Sequence, residues 1–137
     1  DETALFEACT SHWAGQNPAP DPAIWDVKQD PAARARTAIA AFYDWYEDKQ
    51  AMLSAAWRDV ELVPALQPMM QEQDMAMAGL SSDLASQFGT QPPDLGQTLR
   101  HVLAFTTWQA LDRQGIENAA KVDLAMRWID GVLAGAA

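Results

Sequence analysis

Cys9 and His12 stand three residues apart, a spacing that puts both side chains on one face of a helix. Such a pair could be half of a metal site. Structural zinc takes four ligands, mostly Cys and His, yet the chain holds one cysteine and two histidines in all. Completing the site would require His101 and a carboxylate from afar, so core packing is the better account of both residues, and no metal or cofactor is expected. A redox-sensing Cys9 fares no better, because Glu7 disfavours the thiolate and no resolving cysteine exists. Neither histidine has a glutamate three residues before it, as di-iron helical bundles require. The sequence has no Gly-rich phosphate loop, no His-Glu-x-x-His and no Gly-x-Ser-x-Gly. Asp44, Glu47 and Asp48 read as a solvated helix face, and Arg58-Asp59 as a surface ion pair or a cap for a neighbouring helix. No catalytic residue is expected, and a helical enzyme is the weakest of the functional readings.

The aromatic residues are the more promising set. Phe42, Trp45, Tyr46, Trp57, Phe105 and Trp108 are many for so short a chain, and such groups line apolar small-molecule cavities. Met69, Met70, Met75 and Met77 would give a cavity an adaptable wall. His12, Tyr46 and His101 are the candidate polar contacts. Taken one at a time, each aromatic residue at helical spacing is core by default.

The elements that must position them are helices. Apolar residues recur at helical spacing almost throughout, and no useful stretch alternates like a strand. Thr3 to Trp13 reads as a short helix with Leu5, Cys9 and His12 near one face, closed by Gly15 and the proline-rich run Asn17 to Pro22. Trp25 beyond it should plug a core edge. Asp30-Pro31 starts the next helix: the carboxylate accepts orphan N–H groups, and proline loses nothing at the first helical position. Ala35, Ile39, Phe42 and Tyr46 form its stripe, widened by Ala38 and Trp45, and a break is expected near Glu47-Asp48-Lys49. Met52, Leu53, Ala56, Trp57 and Val60 form a second stripe.

Pro64 opens a helix carrying Leu66, Met70, Met77, Leu80, Leu84 and Phe88, with Gly89 placed as a positive-φ terminator. Asp94 and Gln97 resemble a capping box at the start of the next, which Gly115 ends. A last helix spans about Glu117 to Leu133. The expectation is one all-α domain over residues 1–137, of about six helices.

Composition narrows the function. Nine basic against nineteen acidic residues give a net charge of −10, which repels nucleic-acid phosphates and anionic membrane surfaces. One cysteine makes no internal disulfide and suits a reducing cytosol. No stretch reaches the roughly 18 uncharged apolar residues of a membrane span. The opening Asp1-Glu2-Thr3 lacks an initiating Met and a basic leader, and suggests a piece of a longer protein.

The last two helices carry more apolar surface than one neighbour covers. At 100° per residue, Leu99, Val102, Leu103 and Ala110 share one face, with Phe105 and Trp108 opposite. Val122, Met126, Ile129 and Leu133 form a stripe on the final helix, extended by Leu124, Trp128 and Val132. The expectation is a homodimer in which these helix pairs form a four-helix bundle about a two-fold axis. Leu99, Val102, Leu103, Ala110, Val122, Met126, Ile129 and Leu133 are its candidate interface.

Glu7-Ala8-Cys9, His12-Trp13, Asn17-Pro18, Asp30-Pro31, Met52-Leu53, Arg58-Asp59, Val63-Pro64-Ala65-Leu66, Leu99-Arg100-His101 and Phe105-Thr106-Thr107-Trp108 form a familiar succession. It is similar to the regulatory half of tetracycline-repressor-type (TetR family) transcription factors. The likeness extends over nearly the whole chain as helix lengths and anchor residues, without a catalytic signature. It implies an effector-binding and dimerisation domain, with a helix-turn-helix DNA-binding unit preceding it in the full protein and absent here. It further implies a pocket for a small apolar or aromatic effector, lined by His12, Phe42, Trp45, Tyr46, Trp57, Met70, His101, Phe105 and Trp108. DNA would be contacted only through the missing unit, in the cytoplasm, and released when the effector shifts the Thr3 to Trp13 helix. The alternative is a stand-alone helical module whose aromatic face binds a partner helix.

Overall fold

The computed structural model describes residues 1–89 and 91–135. Among these described residues seven α-helices follow one another: α1 (Glu2–Gln16), α2 (Ala23–Asp26), α3 (Pro31–Asp59), α4 (Gln67–Ser86), α5 (Pro93–Leu103), α6 (Phe105–Asp112) and α7 (Asn118–Gly135). A 3-10 turn, Pro64–Leu66, leads into α4. There is no strand among the described residues, and none of their helices is long and apolar enough to cross a membrane.

The 29-residue α3 is the scaffold. Its start follows the sequence expectation: the Asp30 carboxylate accepts from the Ala33 N–H at 2.9 Å, with Pro31 in the first turn. The expected break near Glu47-Asp48-Lys49 does not occur. Those three residues include no Gly or Pro, and Lys49 pairs with Asp48 at 2.8 Å at the surface. Trp25 on α2 is buried against Phe42, with ring centroids 5.9 Å apart. Arg34 staples α2 down, donating to the carbonyls of Lys28 (3.0 Å) and Asp26 (3.2 Å). Arg58 and Asp59 form the expected exposed ion pair at 2.8 Å, and the Arg58 hydrogen bond holds the Asp59 carboxyl below its ordinary range.

The largest departure from expectation is at Ala104. One helix was expected from Asp94 to Gly115, but the chain turns extended at Ala104 (φ −70°, ψ 139°) and divides it into α5 and α6. Alanine has no local reason to break a helix; the reason is tertiary. The hydroxyls of Tyr43 and Tyr46 on α3 donate to the carbonyls of Val102 and Leu103, which a helix end leaves without intrahelical partners. Thr107 Oγ1 adds a bond to the His101 carbonyl at 2.6 Å. Burial raises both tyrosine pKa values far above ordinary, for Tyr46 with a smaller contribution from Tyr43, so both hydroxyls stay neutral donors.

The break also removes the two-faced helix from which a partner was inferred. Leu99, Val102, Leu103, Phe105 and Trp108 are all enclosed within one chain, because α5 packs against α4, α7 and α3 while α6 turns its own apolar side onto α3. Val122, Met126 and Ile129 of α7 are likewise core, Leu133 is half-buried, and Ala110 is exposed. None of the buried six needs a second copy to cover it, so their placement at an interface is withdrawn.

Other boundaries moved for local reasons. Pro92 (extended) and Pro93 start α5 without side-chain capping, so Asp94 and Gln97 form no capping box. Gly89 is not at positive φ. Gly115 is, at φ 78°, and it ends the α6 segment as expected. On α1 the face turned inward carries Phe6, Thr10 and Trp13, all half-buried, whereas Leu5, Cys9 and His12 are exposed. Core packing therefore does not account for Cys9 or His12.

Candidate ligand site

The aromatic residues divide into two environments. Phe42, Tyr46, Phe105 and Trp108 belong to a closely packed core: Tyr46 meets Phe105 edge-on at 5.5 Å, and Phe105 stacks on Trp108 at 5.8 Å. The polar atoms here are partnered. Trp108 Nε1–H donates to Asn118 Oδ1 at 3.0 Å. Lys121, only 1% exposed, places its ammonium 4.9 Å from the Trp108 ring centroid and donates to Asp112 Oδ1 and Asn118 Oδ1, both at 3.0 Å. Asn118 Nδ2 in turn faces Asp44 and Glu47 of α3 at 3.1 and 3.0 Å. This part of the aromatic set is packed protein.

Trp45 marks the border. It touches the core through Tyr46 (5.8 Å) and Phe42 (6.5 Å), and reaches Trp13 of α1 at 6.5 Å on its other side. There a cavity of about 160 Å³ opens where α1 meets α3 and α4. Trp13 and Ala14 come from α1; Trp45, Met52, Leu53 and Ala56 from α3; Met69, Met70 and Gln73 from α4; Asn17 and Ala19 form the lip after α1. Helical spacing explains the α3 wall, since residues 45, 52 and 56 fall on one side of the cylinder. Asn17 fixes the end of α1 by returning both its backbone N–H and its Nδ2 to the Trp13 carbonyl, each at 2.9 Å. No ionisable residue lies among those that line the cavity. The Trp45 Nε1–H is buried and has no hydrogen-bond partner among the described residues.

Of the nine residues expected in an effector pocket, the cavity takes in Trp45 and Met70. Trp57 is 41% exposed and His12 is exposed on α1. His101 lies elsewhere, in an open groove of about 1160 Å³ between α5 and α7, with Thr98, Arg127, Trp128, Gly131 and Val132 among its lining. Met69 belongs to the anticipated methionine wall, whereas Met75 is 74% exposed and Met77 is buried core. Trp13, Met52, Leu53, Ala56 and Gln73 were not expected at the site. The signal for Met52, Leu53 and Ala56 was present, as a second apolar stripe on α3.

No protein-family model, curated protein or solved structure matches this chain.

Proposed function

We propose that this chain is the effector-sensing and dimerisation domain of a TetR-type transcriptional regulator, with the effector seated between α1, α3 and α4. The observation that carries the reading is the position of the cavity: its wall includes Trp13 and Ala14 of α1, the helix that would connect to DNA-binding heads. α1 has no buried residue, so little packing resists its displacement. An occupant wedged beneath Trp13 would therefore bias α1 between two positions, and through it the spacing of the heads. The acidic balance fits a domain that leaves DNA contact to another part of the protein. The sensing role fits a cytoplasmic protein, and it asks for no catalytic residue and no cofactor.

Self-association is retained with a different surface. The outer sides of α5 and α7, carrying Thr98, His101, Trp128 and Val132, would meet their two-fold copies. Trp128 is half-buried and lies 6.2 Å from the His101 ring, a contact that a partner would complete. The same groove favours the second reading, in which a stand-alone module takes a foreign amphipathic helix there.

Two measurements test the proposal. A thermal-shift screen against small neutral aromatic compounds should raise the melting temperature, and Ala56→Leu, which fills the cavity, should abolish the rise. Absence of any stabilising compound, or a rise that survives Ala56→Leu, refutes the effector site. The mass in solution should be that of a dimer and should fall to monomer in Val132→Glu. A monomeric unaltered chain that binds amphipathic peptides favours the second reading.

A further inference from the structure

The six methionines fall into three environments. Met77 and Met126 are buried in the core, and Met75 is exposed. Met52, Met69 and Met70 are half-buried and border the cavity beneath α1. Met69 and Met70 also border outer clefts. Met69 shares one of about 250 Å³ with Glu7, Ser11 and Ala14 of α1. Met70 shares another, of about 270 Å³, with Val60 and Asp74. The two neighbours on α4 thus stand between solvent and the cavity, and Met69 does so directly against α1.

A thioether in that position is open to one covalent change. A hydroperoxide transfers an oxygen atom to the sulfur: the S–O bond forms, the O–O bond breaks, the thioether is oxidised by two electrons, and hydrogen peroxide leaves as water. The oxidant must be neutral, because the chain carries a net charge of −10 and the cavity lining holds no ionisable group to receive an anion. The product is a polar sulfoxide in an apolar wall. Asn17 Nδ2 is committed to the Trp13 carbonyl, so the wall has little to offer a new acceptor. A sulfoxide that stays beneath α1 is poorly satisfied, and one that turns out into a cleft takes its side chain from under the helix. Either way α1, which has no buried residue, loses apolar contact.

We propose that Met69 and Met70 are an oxidation site, at which a small neutral hydroperoxide forms methionine sulfoxide and thereby releases α1 from α4. The site goes beyond the effector reading: it frees the same helix by a change in the cavity's own wall and needs no bound ligand.

The experiment uses the Cys9→Ser chain, which lacks the one thiol, exposed on α1. Hydrogen peroxide is added over a time course. Peptide masses give the oxygen gained at each methionine, and hydrogen–deuterium exchange follows α1 and α5. A released helix of 15 residues is marginal in water, so its amides should lose protection. Met75 should oxidise first and without consequence. As Met69 and Met70 gain oxygen, exchange in α1 should speed up about tenfold, the effect of one poorly satisfied polar group, while α5 stays unchanged. Met69→Leu with Met70→Leu keeps the apolar volume and removes both sulfurs, and should abolish the response. Met75→Leu should retain it. Peroxide that converts Met75 but spares Met69 and Met70 overturns the oxidation site. So does α1 exchange that is unmoved by their oxidation, that tracks Met75, that rises together with α5, or that still responds in the double leucine variant. Each of these leaves the effector reading standing, because ligand-induced melting shifts decide that one separately. The time course on the Cys9→Ser chain decides the matter even if the double variant fails to fold.

Discussion

The two halves of α3 are one continuous helix in two different surroundings. Over the first half Ala35, Ala38, Ile39, Phe42, Tyr43 and Tyr46 are all buried, and the tyrosine hydroxyls are bound by carbonyls of α5. Over the second half Met52, Leu53, Ser54 and Ala55 are half-buried, Ala56 alone is fully buried, and Trp57 is exposed. The helix does not break between them; its neighbours change. The first half is covered by α2, α5, α6 and α7 with interlocking aromatic rings and partnered polar atoms. The second half meets methionines and the loosely held α1. Rigid packing at one end fixes the frame; under the proposed reading, slack at the other would leave room for an occupant whose arrival α1 would feel. Sensing by displacement needs both, because a ligand moves a helix only relative to something that stays still.

That contrast predicts unequal costs for similar substitutions. Trp108→Ala, at a residue with no exposed surface, should destabilise by about 3–5 kcal/mol in denaturant unfolding. Trp57→Ala should cost less than about 1 kcal/mol. Comparable losses would mean that the second half is as tightly built as the first. Next in size is Asp112→Ala. It leaves the buried Lys121 ammonium with Asn118 as its remaining hydrogen-bond partner and should cost about 2 kcal/mol, below the range for a fully buried pair because Asp112 is 39% exposed.

The tyrosine pair comes third and carries a pH signature. Tyr43→Phe or Tyr46→Phe leaves a buried α5 carbonyl short of a donor, at about 1–2 kcal/mol each. Both pKa values are raised in the folded chain above the ordinary 10.0, chiefly by burial. Stability from a raised pKa is complete below the unfolded value and is lost as pH climbs toward the folded one. Unfolding free energy should therefore fall from about pH 10 upward, and the double Phe variant should flatten that fall. An alkaline limb unchanged in the double variant would place the titration elsewhere.

Where the structure was legible in the sequence, the signal was local. Asp30-Pro31 carries its own capping chemistry, Gly115 its own positive φ, and Trp25 its size beside a loop. The break at Ala104 was illegible because its cause is long-range: hydroxyls 59 and 57 residues from the helix-end carbonyls of Val102 and Leu103 that they hold. Reading one helix through that point turned a buried α5 into an apparent interface. The site suffered similarly. Aromatic size and spacing do not separate Tyr46, with its hydroxyl bound, from Trp45 one residue before it, with its N–H unpartnered among the described residues. His12 and His101 attracted notice as rare polar residues, although helix rotation turns both to the surface.

The smallest predicted effect is the sharpest test of the contrast. Ala38 and Ala56 lie on the same helix, and both are buried, at 0% and 4% exposure. Replacing each with Leu adds the same atoms. At Ala38 they enter a filled core and must displace neighbours, which should cost about 1–3 kcal/mol. At Ala56 they enter the cavity lined by Met52, Met69 and Met70, whose side chains can rearrange around them. The gain in buried apolar surface should then offset any strain, leaving stability within about 0.5 kcal/mol of the unaltered chain. Equal losses at the two positions would mean that the space beneath Trp13 is not open to added carbon. A tolerated Ala56→Leu beside a damaging Ala38→Leu would locate the slack in α3 at the end that faces α1.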